Sequence, residues 1–305
     1  MIWKYLLILV FLCKGLVAYA ESPCVQNTSG HSPYYDELFK DRKLDITIAV
    51  GFIQEKENEI TIPIIKEILD LYRSYSLDEA SLGETISELE REILGCKECE
   101  FYESSQGAGY KIFTSTFFHN CKWIKVKLKL IYPEETIKPW QLKAAFIQAL
   151  KKDDVIIYAG HGRNGMKFPD FGPPLSTEGK VYFKDVYEGD WVGFRHGYFH
   201  PKKYQILMLN ACDTWEYYRD VLRNNIWEKP AHKLGLILTK GKVLQSTLPR
   251  TTTSLIRSLF LKQDATEIIK SLEHTKQTVD KMVGFEDFVG DELFGITTED
   301  SSRIH

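Results

Sequence analysis

Apolar and polar positions along the chain follow two rhythms. "LDITIAVGF" (44–52) alternates and is rich in β-branched residues, which predicts a strand. "IPIIKEILDLYRSY" (62–75) repeats at helical spacing behind Pro63, and "ISELEREILG" (86–95) gives a second amphipathic helix. A Gly-rich turn is expected at 107–109. Residues 110–132 then read as two strands around a turn at His119-Asn120. In the second of these, Ile124, Val126, Leu128 and Leu130 face one way and Lys125, Lys127 and Lys129 the other. The lysines are expected to be a solvated face that blocks edge pairing.

"KPWQLKAAFIQALKK" (138–152) predicts a helix from Pro139. Two near-continuous apolar runs follow, "DVIIYAGHG" (154–162) and "YQILMLNAC" (204–212), as strands buried on both faces of a parallel sheet require. Helices are expected at 214–225, 253–261 and 265–283, the last capped by Asp264. Residues 235–247 read as a strand or hairpin. Strands alternating with helices predict an α/β fold, a three-layer helix–sheet–helix with a mostly parallel central sheet.

The chain has 305 residues, 44% hydrophobic and 27% charged, which excludes a disordered or collagen-like polymer. A formal charge of −3 with no basic tract gives no ground for a nucleic-acid partner. The first twenty residues carry Lys4, an apolar stretch from Tyr5 to Cys13, and Ala18 and Ala20 at an A-x-A site. They read as a signal peptide cleaved after Ala20, because Lys14 and Gly15 break the run short of the roughly 20 apolar residues a span needs. An exported protein with no stable membrane span in its mature form is expected. Residues 21–43 read as a polar lead-in or propeptide, 44–283 as the main domain with a Cys-containing insertion at about 76–122, and 284–305 as a loose acidic tail.

Export changes the meaning of the cysteines. Without Cys13 five remain, so one must stay unpaired. Cys24, Cys96, Cys99 and Cys121 lie in polar, loop-like surroundings and are expected to form disulfides, with the pairing open. A zinc site from Cys96, Cys99, His119 and Cys121 is the alternative. Cys212 is the odd one out, at the tip of an apolar run.

The two buried runs end alike. His161 and Cys212 each stand one step past a strand's carboxyl end, where chemistry gathers in open α/β sheets. Thiol and imidazole make the minimal nucleophile–base pair. Gly162 has no Cβ to keep its N–H from a bound carbonyl, and with the N–H of Cys212 it would form an oxyanion hole. His196 is a rival base. Only six residues separate Gly197 from Tyr204, fewer than a parallel crossover needs, so His161 is preferred. Asp170, Asp185, Glu188 and Asp190 in the insertion, Asp213 beside the cysteine, and Gln245 and Ser246 near the last strand are candidates for lining the substrate pocket. An acidic floor there would select Arg or Lys.

"VIIYAGHG" and "ILMLNAC", about fifty residues apart, together resemble the caspase–hemoglobinase superfamily of cysteine peptidases (clan CD), with "HGRNGMKFP" similar to the segment after the legumain histidine. The resemblance implies a caspase-like domain, His161 and Cys212 as the dyad, Gly162 and Cys212 as oxyanion donors, and cleavage of a protein or peptide substrate after one preferred residue. It implies no metal or other cofactor for the chemistry. The bulky, partly acidic "DTWEYY" after the alanine-cysteine pair departs from the family's small residues, and the acid-binding arginines of caspases have no counterpart. A non-catalytic binding module of the same fold, and a thioester-forming transamidase or peptide ligase, are the alternative functions.

Overall fold

The computed structural model describes residues 35–51, 79–134, 136–137, 139–160, 199–211, 214–215, 233–240, 243, 245–279 and 288–291. The expected helix at 62–75 lies outside them. Among the described residues eight strands form one sheet: β1 (Lys43–Val50), β2 (Tyr102–Gly107), β3 (Tyr110–His119), β4 (Lys122–Ile131), β5 (Val155–Ala159), β6 (Gln205–Asn210), β7 (Leu234–Thr239) and β8 (Phe288–Asp291). Their order is β2-β3-β4-β1-β5-β6-β7-β8. The five central strands, β4-β1-β5-β6-β7, are parallel. Antiparallel strands close both ends, β2 and β3 on one side and β8 on the other.

Alternation along the central strands feeds two separate cores. Ile46, Ile48, Val155, Ile157, Ile206, Met208 and Ile237 point to one face. There they meet α1 (Glu79–Gly95), α3 (Leu248–Phe260) and α4 (Ala265–Val279) through Leu89, Ile93, Leu255, Leu259, Ile268 and Leu272. Ala49, Ile156, Tyr158, Leu207, Leu209, Leu236 and Leu238 point to the other. They pack on Leu142, Phe146, Ala149 and Leu150 of α2 (Pro139–Lys152). This is the expected three-layer α/β architecture. Strands buried on both faces must read as continuous apolar runs, and β5, β6 and β7 are buried at every position. Asp264 caps α4 through the Glu267 N–H at 2.8 Å, and Glu267 Oε2 accepts from the Asp264 N–H at 3.1 Å, closing a capping box.

The fold departs from the sequence expectation in several places. β4 is not an edge. It lies between β3 and β1 and stays solvated on its lysine face, where Lys125 and Lys127 are exposed. β2 has no buried position and hence no alternation to find. It forms because a turn at Ala108-Gly109, with Gly109 at φ +65°, folds it onto β3. The strand expected through residue 247 ends at Thr239. Gln245–Thr247 is a 3-10 turn that leads into α3, which starts five residues before the expected helix. In its first turns Thr251 and Thr253 donate back to the carbonyls of Thr247 and Pro249 at 2.8 and 2.9 Å.

The lead-in also carries core. Leu38 and Phe39 are buried in a 3-10 turn (Tyr35–Phe39), which Glu37 ties to Lys233 at 2.6 Å. The acidic tail supplies β8.

The zinc alternative is replaced by disulfides. Cys96 and Cys99 are bonded to each other in a turn at the end of α1, and Cys121 is also disulfide-bonded. His119 is buried against Phe39, with Nε2 3.2 Å from Asp36 Oδ1. Among the described residues no helix is long and apolar enough to cross a membrane.

Candidate active site

β1 pairs with β4 on one side and β5 on the other, so the chain reverses its direction of travel across the sheet between β1 and β5. A crevice opens beyond the carboxyl ends of strands at such a switch point. Three strand ends meet there. The Gly51 N–H, just past β1, donates to Ala159 O at 3.0 Å, and the Gly160 N–H, just past β5, donates to Asn210 O at 3.2 Å. β5 and β6 are parallel neighbours in register through Ala159↔Asn210, so Gly160 and Ala211 end the two strands at one level.

One residue further, the sequence has His161 after β5 and Cys212 after β6. His161, Gly162 and Cys212 lie outside the described residues, as do Asp170, Asp185, Glu188, Asp190, His196 and Asp213. What is placed is the platform beneath them. Each dyad candidate is one peptide unit, ~3.8 Å, from a described residue. Neighbouring strands run ~4.8 Å apart.

Gly160 is a glycine for reasons of space. A Cβ there would lie 2.6 Å from Gly51 O and 2.7 Å from Tyr158 Oη. On the α3 side, Leu248 and Val243 cluster with Ala159, which puts the turn before α3 at this same edge of the sheet. Ser246, on that turn, is exposed. Only the backbone of Gln245 is described.

The floor is polar and buried. Asn210 Nδ2 donates to Thr251 Oγ1 at 2.7 Å and Thr252 Oγ1 at 3.2 Å, and it reaches Leu248 O at 3.4 Å, locking the end of β6 to the first turn of α3. Thr239 and Thr214 bind the chain on either side of Cys212. Neither threonine carries a signal in the sequence, because their meeting depends on β6 and β7 being neighbours.

The opposite edge holds two perturbed carboxyl groups. At the amino end of β5, burial pushes Asp154 up to about 6, against the opposing pull of Lys203 at 2.7 Å and the Asp45 N–H at 2.8 Å. Burial also raises Asp153, which accepts from Thr47 Oγ1 at 2.6 Å. The charges facing this pair are Asp45, Lys127 and Lys203. The five residues of β5 separate the pair from the strand tips by ~16 Å, so these carboxyls are structural.

They make stability pH-dependent. Asp154 holds its proton more tightly in the folded chain than in the unfolded one. Its contribution is therefore most favourable below about pH 4 and is lost as pH rises to about 6. Urea denaturation across pH 4–7 is expected to show wild type losing ~2 kcal/mol relative to Asp154→Asn. Parallel curves for the two proteins would contradict this.

Cys121 also belongs to the amino edge. It lies four residues before Lys125, which pairs with Lys43 at the start of β1, whereas Ala211 lies at the carboxyl edge. The eight-residue length of β1 alone puts more than ~20 Å between those levels. A disulfide needs Cα atoms within ~7 Å. Cys121 is therefore out of reach of the residue that follows Ala211.

No family model matches the chain, and no curated protein does. A solved structure of a secreted C11 cysteine protease from Bacteroides thetaiotaomicron, "iotapain", is similar to it with a TM-score of 0.35 and 10% sequence identity. The likeness covers 76% of this chain and 62% of that one, less than two thirds of the neighbour's length. At so remote a likeness, strand order and the geometry of the edge carry the functional reading.

Proposed function

We propose that the chain is an exported cysteine endopeptidase in which Cys212 is the nucleophile and His161 the general acid–base. The observation that carries this is the level ending of β5 and β6, where the 3.2 Å bond from the Gly160 N–H to Asn210 O joins the residues just before the pair. Cys212 is the cysteine left over: Cys96 is bonded to Cys99, Cys121 is out of its reach, and Cys24 is then the partner for Cys121.

In the reaction His161 takes the thiol proton and the thiolate attacks the carbonyl carbon of the scissile bond. The N–H groups of Gly162 and Cys212 receive the oxyanion. His161 returns its proton to the leaving amine, which departs and leaves a thioester. A water molecule, losing its proton to His161, hydrolyses the thioester and restores the thiol. No cofactor enters these steps. Asp170 and Asp213, with Gln245 and Ser246 on the turn before α3, are the residues proposed to meet the substrate side chain.

The test is to label the secreted, unreduced protein with a library of peptidyl acyloxymethyl ketones and read the sites by mass spectrometry. Cys212 alone should be modified, and far more slowly in His161→Ala. The best warhead would name the preferred residue. A Cys212 that resists every warhead, or is found in a disulfide, would favour a binding module instead.

A further inference from the structure

The segment carrying Cys212 is fastened on both sides by two buried hydroxyls. The last paired residues of β6 and β7 are Leu209 and Leu238. Just past them the Thr239 hydroxyl donates to the carbonyl of Ala211. The Thr239 N–H, where the ladder has run out, donates to Thr214 Oγ1 at 2.8 Å. The Thr214 hydroxyl reaches back to Leu209 O at 3.0 Å, and the two Oγ atoms lie 3.0 Å apart. Thr214 and Thr239 are 1% and 2% exposed, and Leu209, Asn210 and Ala211 are buried with them.

The β6–β7 ladder thus ends at Leu209, β6 itself ends at Asn210, and Thr214 stands back at the level of Leu209. Both feet of the 209–214 segment are held by the same hydroxyl pair. Deep in the fold such bonds hold geometry firmly, because the carbonyls they satisfy have no water to turn to. The residue between the feet is the proposed nucleophile.

We propose that Thr239 and Thr214 are positioning residues: a buried hydroxyl clamp that holds the 209–214 turn so that the Cys212 thiol meets its base in one geometry. This deepens the peptidase reading and rests on it. Without the Thr239 hydroxyl the Ala211 carbonyl loses its partner and the turn shifts. A displacement of even ~1 Å between reacting groups costs on the order of 100-fold in rate.

The experiment measures alkylation of Cys212 by iodoacetamide in the full chain from pH 5 to 9, resolved by mass spectrometry, for wild type, Thr239→Val and Thr239→Ser. It needs no substrate. In wild type the rate should stay high well below the titration range of a free thiol. In Thr239→Val the rate at pH 6 should fall about tenfold and the profile should move toward an ordinary thiol of pKa ~8.5. Thr239→Ser, which keeps the donor, should stay within about twofold of wild type. With a peptide substrate kcat should fall in the valine variant while KM holds. A merely structural role would lower the melting temperature and leave the pH profile in place.

If the valine variant does not fold, Thr214→Val gives the same comparison with the other hydroxyl removed. Coincident profiles for wild type and either valine variant would overturn the clamp and leave the dyad standing. A wild-type Cys212 that itself titrates as an ordinary thiol would overturn both, and that profile distinguishes the two failures.

Discussion

Cys212→Ala is expected to abolish peptide hydrolysis, with kcat/KM falling by ~10⁴-fold or more, in a protein that still folds. The size of the effect follows from covalent catalysis, since an alanine offers no atom to attack the carbonyl. Folding should survive because Cys212 lies past the end of β6. The core that holds that strand is supplied by Ile206, Leu207, Met208 and Leu209. His161→Ala should fall almost as far. The double variant should be no worse than Cys212→Ala alone, because groups acting as one unit lose their effect once. The measurement is hydrolysis of the best peptide found by labelling, alongside thermal unfolding. A Cys212→Ala protein with wild-type turnover would remove the nucleophile from the scheme.

Gly160→Ala should cost about 100-fold in kcat with a much smaller change in KM. The cause is steric. The new methyl would sit 2.6 Å from the Gly51 carbonyl, a backbone atom just past the end of β1, and 2.7 Å from Tyr158 Oη. The Tyr158 ring can swing away, but the Gly51 carbonyl is backbone and gives way only if the end of β1 or of β5 shifts. A shift at the end of β5 would move the proposed base that follows it. Overpacking of this kind should also lower stability by ~1–3 kcal/mol. Turnover and melting temperature both at wild-type values would show that the tip of β5 does not position the histidine.

Where burial wrote itself into the pattern of side chains, the sequence was legible. β5 and β6 are covered on both faces and are apolar at almost every position, so they could be read as parallel strands. The exceptions share one cause, which is contact between segments remote in sequence. β4 looked like an edge because its lysine face is solvated, yet β1, some eighty residues earlier, pairs along its length. β2 had no pattern at all because nothing covers it. Cys96, Cys99 and Cys121 kept a metal alternative open because ligand sets and disulfides draw on the same residues. Thr214 and Thr239 were invisible for the same reason as β4. Each is an unremarked hydroxyl at the end of a run, and only the adjacency of β6 and β7 gives them a partner.

Sheet order also sets an order of assembly. β3 and β4 are joined by a tight turn, with His119 facing Lys122, and such a hairpin closes within ~1–10 μs. β1 must find β4 across 82 residues, as in Leu44↔Val126, and β5 across 109, as in Ile46↔Val155. β6 joins β5 across only 51, as in Val155↔Ile206. Pairings of such long range are slow, because the entropy of closing each loop comes before any contact rewards it. The pairing that brings the strand tips beneath His161 and Cys212 together, β5 with β6, spans fewer residues than either pairing of β1 and is expected to form before β5 meets β1. In the unfolded chain residues 161 and 212 lie far apart, and the proposed dyad exists only once β5 and β6 have paired.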